Sequence, residues 1–421
     1  MKATGPLWPL RRALPLVALL AHGACGAAEA DEPSALSDAL VRDSEVTLHL
    51  RSYYFDRHSP GPVVNAAWAA GGWLGYRSGW LGNLLQVGVV GYTSQPLWAP
   101  SDTGGSGLLQ SNQDSISVIG QAYASLKLGE QRLTGGRFEV RQPEVNPNDS
   151  RMVPNTFEGG NFSGKLGPVN YFAAYLNAMK LLASDRFQDF ATVAGAPAGV
   201  GSPMWLIGLD GTPMAGSKWR VSAFQVPDIL QSIYGDGVWQ TPLSPAYTLR
   251  LGAQAMAQRS TGSDALTGSS FSTSSAGVRA ELVRGPATAT LAYNQTASGA
   301  TWRSPYGDWP GYTSMIVLKF FRAHERALLV GGKYDFADDG LPGLALNANV
   351  VFGRDAIDAS TGAPLNDNTE YDLTLDYRFT AQRWPAWARP LWLRLRAVYV
   401  DQGAVGNIND YRVILNYPLV F

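Results

Sequence analysis

The chain has 421 residues, with 33 Lys plus Arg against 34 Asp plus Glu, a formal net charge of −1 and a single cysteine. That balance offers no polybasic surface for a nucleic-acid partner, and one cysteine cannot staple an exported chain with internal disulfides. Its 46 glycines, 13 tryptophans and 18 tyrosines are many for a soluble enzyme and point instead to a large β structure.

The chain opens on Lys2, Arg11 and Arg12, followed by the apolar run ALPLVALLAHGA and the small-x-small site Ala28–Ala30. This is the layout of a secretory signal peptide, too short to span a bilayer as a helix. Residues 1–30 are therefore expected to be a cleaved signal and 31–421 one domain. A lipoprotein anchor at Cys25 would need a small apolar box before it, and His22 stands where a leucine is expected. Cleavage after Ala30 leaves 30 basic and 33 acidic residues, a net charge of −3. Beyond Ala30 there is no run of 18 apolar residues, so no membrane-spanning helix is expected.

Period-2 alternation then recurs at Val46–Phe55, Val118–Leu128, Trp219–Gln225, Leu249–Ala257, Val278–Val283 and Leu328–Phe336. It is clearest towards the C-terminus. Tyr371, Leu373, Leu375, Tyr377 and Phe379 alternate with Asp372, Thr374, Asp376 and Arg378. Leu391, Leu393, Leu395, Ala397 and Tyr399 alternate with Trp392, Arg394 and Arg396. Tyr411, Val413, Leu415, Tyr417, Leu419 and Phe421 share one face, with Arg412 and Asn416 on the other. Side chains two apart share a strand face, so each segment has one apolar and one polar side.

A soluble sandwich alternates too. Three features favour a membrane barrel: strands of about ten residues, enough to cross a bilayer when tilted; aromatics at strand ends, as in SYYF and YVDQ; and connections that alternate between short and long. The short ones are Gly129–Gln131 and Leu166–Pro168. The long ones lie near 94–115, 141–155, 180–200, 227–246 and 353–369. Between about 258 and 312 the alternation blurs. Lipid offers the backbone no hydrogen bonds, so the sheet must close. The expected fold is an all-β, transmembrane antiparallel β-barrel with inward-folded loops, in the outer membrane of a Gram-negative bacterium, its apolar faces on lipid and its polar faces on a lumen.

Several stretches then become recognisable. NPNDSRMVPNTFEGG (146–160), SPYGDWPGYTSMIV, KYDFADDGLPGL, LRLRAVYV with NDYRVILNYPL, and RSYYFDR at Arg51 resemble, in the same order, segments of the OprD family of substrate-specific porins. The resemblance covers most of the chain after the signal. It implies eighteen strands forming a monomeric pore, with association into trimers left open. It also implies passive uptake of small water-soluble solutes, usually bearing a carboxylate: amino acids, small peptides, or aromatic and other organic acids. The terminal Phe421 resembles the signal read by the barrel-assembly machinery. In the family the loop matching NPNDSRMVPN folds inward, so Asn148, Asp149, Ser150 and Arg151 are expected to form the constriction, stiffened by Pro147 and Pro154.

Arg394 and Arg396 lie two apart on the polar side of their strand, and a charge facing lipid at mid-depth costs about 2–4 kcal/mol. With Arg378 and Arg412 on neighbouring polar faces they could form a ladder of guanidinium forks that hands a carboxylate along; the family carries such a ladder on this strand. The plainer alternative is pairing with lumen carboxylates, since Asp372 and Asp376 share the face of Arg378. Arg220, Arg250, Arg279 and Lys333, and Arg137 beside Glu139 and Arg141, are weaker candidates. Tyr306 and Asp308 resemble a region that forms part of an acidic pocket in some family members; the alternative is a solvated turn built on Pro305, Gly307 and Pro310.

No catalytic, metal or cofactor site is expected. His22, His49, His58 and His324 have no ligand spacing. GNFSG around Ser163 is not a nucleophile elbow, and SDTGGSG is not embedded in a strand–helix unit. A barrel serving as an adhesin or structural anchor, or a barrel hydrolase, is the alternative to a channel.

Overall fold

The computed structural model describes residues 35–421 apart from 62 and 63, so the expected signal, with His22 and Cys25, lies outside the described residues. The strands are β1 Glu45–His58, β2 Val64–Arg77, β3 Leu85–Trp98, β4 Ile116–Leu128, β5 Gln131–Phe138, β6 Thr156–Leu166, β7 Val169–Lys180, β8 Phe187–Gln188, β9 Met204–Gly211 and β10 Ser217–Val226. The remainder are β11 Leu230–Ser244, β12 Tyr247–Ser260, β13 Ser272–Arg284, β14 Ala287–Thr296, β15 Arg326–Asp335, β16 Leu344–Arg354, β17 Asn368–Arg378, β18 Trp392–Asp401 and β19 Asn407–Val420. Each pairs antiparallel with its neighbour, and β19 returns to β1 with Tyr53 opposite Ile414, which closes the ring. The two-residue β8 pairs only with the end of β7, while β9 takes its place in the wall. The result is a closed eighteen-strand antiparallel barrel. No described helix is long and apolar enough to cross a membrane; the crossing elements are strands.

The alternation orients the wall as expected on β17 to β19. Tyr371, Leu373, Leu395, Tyr399, Tyr411, Val413 and Leu415 face outward, while Arg412 and Asn416 are each 2% exposed on the inner side. Burial inside comes from loops, which closes off much of the lumen. Apolar inner residues of β5 to β11, among them Phe138, Phe157, Leu176, Phe224 and Val226, form one core with Val140 and Val145 of the 139–155 loop and Tyr306 of the 297–325 loop. The lumen lining is therefore partly apolar, contrary to the simple rule of polar faces inside, because these positions meet a loop and not water.

Three sequence expectations change. The 227–246 segment is wall: Pro227–Ile229 is a short turn and Leu230–Ser244 is strand, with Leu230, Ser232 and Tyr234 buried inside and Ile233 and Trp239 exposed outside. Its glycines and prolines (Gly235, Gly237, Pro242) imitate a loop. The blurred region holds β13 and β14, joined by a tight turn, and then the long 297–325 loop. SYYF is split: Tyr53 and Phe55 point inward and pack with Leu108, Leu109, Met152 and Val153 of two loops, and only Tyr54, its ring 6.4 Å from that of the exposed Trp98, stays on the outer face.

Candidate functional site

Two loops fold into the barrel and meet. Asn146 joins them: its Nδ2 donates to the Asp308 carbonyl at 3.0 Å, and its Oδ1 accepts the Asp308 N–H at 2.9 Å. The backbones approach so closely that a Cβ on Gly307 would lie 2.8 Å from the Asn146 nitrogen, which only glycine allows there.

The 139–155 loop is fixed to the wall along its length. Arg51 of β1 holds Asp149 through two contacts, 2.7 and 3.2 Å, donates to the Arg151 carbonyl, and is itself placed by a 2.8 Å bond to Asn416 of β19. Arg151 donates to the Ser106 carbonyl at 2.8 Å. Gly107, at φ +71°, leaves room for that guanidinium, whose Nε would sit 3.0 Å from an added Cβ. Asn155 N donates to the Pro147 carbonyl at 2.6 Å, closing the loop on itself, and Lys180 of β7 donates to the Pro154 carbonyl at 2.8 Å. Glu144 is buried beneath the loop with the Ser232 hydroxyl 2.9 and 2.8 Å from its two oxygens, and burial raises its carboxyl to about 7. Burial, then the nearby Arg412 charge, holds the Arg151 guanidinium down to about 10.

The 297–325 loop is anchored to β17. Ile316 N–H donates to Asp372 at 3.1 Å, and Val317 and Leu318 N–H donate to the two oxygens of Glu370 at 2.7 and 2.6 Å. These bonds satisfy loop amides that would otherwise be buried without partners.

Between the loops and the β15–β1 wall lies a cavity of about 850 Å³. The loops thus block one side of a wide barrel and leave the arginine side open. Asn148, Asp149, Ser150 and Arg151 all line it, as do Arg394, Arg396 and Arg412 and the weaker candidate Lys333. Arg394 is held by Asp376 in a fork of 2.7 and 3.0 Å, and Arg412 by Asp410 at 2.6 and 3.0 Å; Arg57 shares Asp410 at 2.7 Å. Arg396 lies directly opposite Arg412 in the β18–β19 register; among the described residues no carboxylate forms an ion pair with it, and its Nε has no hydrogen-bond partner. Two of the three arginines are thus forked to a carboxylate, and Arg396 is not.

Other expectations are redistributed. Arg378 is exposed at the end of β17, its guanidinium stacked 4.3 Å from the Trp392 ring, and does not line the cavity. Tyr306 is not part of an acidic pocket: it is fully buried, its hydroxyl donates to the Phe190 carbonyl at 3.0 Å, and it packs edge-on against Phe190 and Phe224. Its ring belongs to the apolar core beneath the loop. Asp308 does line the cavity, but Lys319 pairs with it at 2.6 Å. Arg137, Arg220, Arg250 and Arg279 pair with Glu158, Asp236, Glu281 and Glu281 respectively, away from this cavity. Arg51, Arg57 and Lys319 are charged lining residues not singled out beforehand. Alternation could have found Arg51, which shares a face with Tyr53, Phe55 and Arg57; a loop lysine has no periodicity to betray it.

The profile of the family described as "outer membrane porin, OprD family" matches residues 38–421. Among curated proteins, none matches the chain in sequence. The fold is similar to the crystal structure of Pseudomonas aeruginosa OccK9 (OpdG), with a TM-score of 0.82 at 22% identity over 91% of this chain and 100% of that one. It is similar too to Pseudomonas aeruginosa OpdK solved with vanillate (TM-score 0.81, 21% identity, 91% and 100% covered) and Acinetobacter baumannii OccAB1 (0.81, 17%, 91% and 98%). A closed eighteen-strand barrel, two inward loops and a family profile matched across almost the whole described chain leave one assignment: the chain belongs to the OprD family of outer membrane porins.

Proposed function

We propose that this porin passes small carboxylate-bearing solutes down their gradient into the periplasm, through a monomer pore, after export by a signal cleaved near Ala30. The observation that carries the reading is Arg396, a cation in the cavity wall beside Arg412 with no carboxylate of its own. A guanidinium fork matches a carboxylate geometrically. Arg394 and Arg412 flank it, so a solute carboxylate leaving Arg396 meets another cation before it meets bulk water. Neither neighbour binds tightly, because each already shares a protein carboxylate; weak, repeated binding is what conduction requires. Vanillate, the solute in the OpdK structure, is an aromatic carboxylate.

The barrel works as a channel and carries no chemistry of its own, so the test is electrical. Refolded protein in a planar bilayer under a salt gradient is expected to show discrete openings with an anion bias. Arg394→Gln with Arg396→Gln should reduce both that bias and the flux of small carboxylates. Unchanged selectivity and flux in the double variant would remove the arginines from the mechanism.

A further inference from the structure

The cavity contains four carboxylates, Asp149, Asp308, Asp372 and Asp376. Three are held by cations: Asp149 by Arg51, Asp308 by Lys319 at 2.6 Å, and Asp376 by the Arg394 fork. Asp372 of β17 is 7% exposed; one oxygen accepts the Ile316 N–H of the inward loop, and the other is covered and has no hydrogen-bond partner among the described residues. On the cationic side the count differs. Among the described residues, Arg396 and Lys333 face the same cavity with no ion pair, and Arg151 donates to carbonyls without an ion pair. A solute carboxylate therefore finds free cations, whereas a solute ammonium finds every exposed carboxylate already taken.

Resting on the carboxylate reading above, we infer that the eyelet prefers organic anions without an ammonium group over amino acids, and that Lys319 is the specificity-determining residue. Lys319 sits on the same inward loop as Asp308 and additionally donates to the Met315 carbonyl at 3.3 Å, which holds its ammonium over that carboxylate. By occupying Asp308, the one loop carboxylate that an amino group could otherwise use without breaking a wall-to-loop anchor, Lys319 sets the sign of the site facing the solute. Asp149 cannot play that part, because Arg51 needs it to hold the 139–155 loop.

The test compares solutes that differ by the amino group. Radiolabelled glutarate, glutamate and the neutral ribitol are measured in flux assays with the full refolded barrel in liposomes. Glutarate is expected to exceed glutamate by about fivefold, the scale of one exposed charge contact. In Lys319→Met the ratio should fall towards one, because Asp308 then accepts the glutamate ammonium. Adding Asp308→Asn to that variant should restore preference for glutarate, which a merely structural role for Lys319 would not do. If glutarate and glutamate both outrun ribitol but do so equally, the preference is overturned while the carboxylate reading stands. If neither outruns ribitol, the carboxylate reading itself fails. A wild-type preference that survives Lys319→Met unchanged overturns the role given to Lys319.

Discussion

Glu144 is expected to make the docking of the 139–155 loop depend on pH. It lies beneath the loop, 4% exposed, and its only hydrogen-bond partner among the described residues is the Ser232 hydroxyl of β11. Burial without a compensating cation raises its carboxyl from the usual 4.5 to about 7. When the loop lifts, the group returns to water and to its ordinary value, so the docked state takes up a proton between those two limits. Docking is then strongest below about pH 4.5 and weakens as pH rises through 7. One pH unit in that interval is worth about 1.4 kcal/mol, so the whole interval is worth about 3 kcal/mol, or on the order of a hundredfold in the opening constant. Glu144→Gln keeps the shape and the Ser232 contact without the ionisation. Single-channel recordings are expected to show brief excursions to higher conductance more often at pH 8 than at pH 5 in the wild type, and rarely at either pH in Glu144→Gln. Equal excursions at both pH values in the wild type, or the same pH dependence in the variant, would sink the argument.

Three further outcomes follow from the same geometry. Arg51→Gln removes both contacts to Asp149 and one to the Arg151 carbonyl, and should raise mean conductance; Met152 and Val153 remain buried, so the barrel itself should still show its folded mobility on unheated gels. Glu370→Ala leaves the Val317 and Leu318 amides without their acceptors, a loss of about 0.5–1.5 kcal/mol per bond, and should appear as added gating from the 297–325 loop. Tyr306→Phe loses one hydroxyl bond to the Phe190 carbonyl, costs about 1 kcal/mol, and should leave ion selectivity unchanged; a shift in selectivity would return Tyr306 to the solute path.

Much of the wall is legible in the chain because the membrane imposes a strict local rule. A spanning strand must bond its backbone to neighbours and turn alternate side chains to lipid, so residues such as Tyr411, Val413 and Leu415 announce their face by spacing alone. The same rule places Arg394, Arg396 and Arg412 inside, and the NPNDSRMVPN segment could be read as an inward-folded loop through its resemblance to a family. Where the rule lapses, reading fails. The glycine- and proline-bearing β11 passes for a loop, and SYYF reads as an interfacial belt although, of its aromatics, Tyr53 and Phe55 lie beneath two loops and Tyr54 alone faces outward.

What tertiary structure alone decides is which charges are spent. Arg378, Arg394, Arg396 and Arg412 look alike in sequence, each on an alternating polar face. Only the fold stacks Arg378 on Trp392, gives Arg394 to Asp376 and Arg412 to Asp410, and leaves Arg396 without a carboxylate. The pairing of Lys319 with Asp308, and the seating of Glu144 under its loop, are likewise invisible in one dimension, since a loop carries no period and its contacts lie far away in the chain. The period-2 pattern settles which way a strand residue points; what it meets there depends on how the loops fill the lumen.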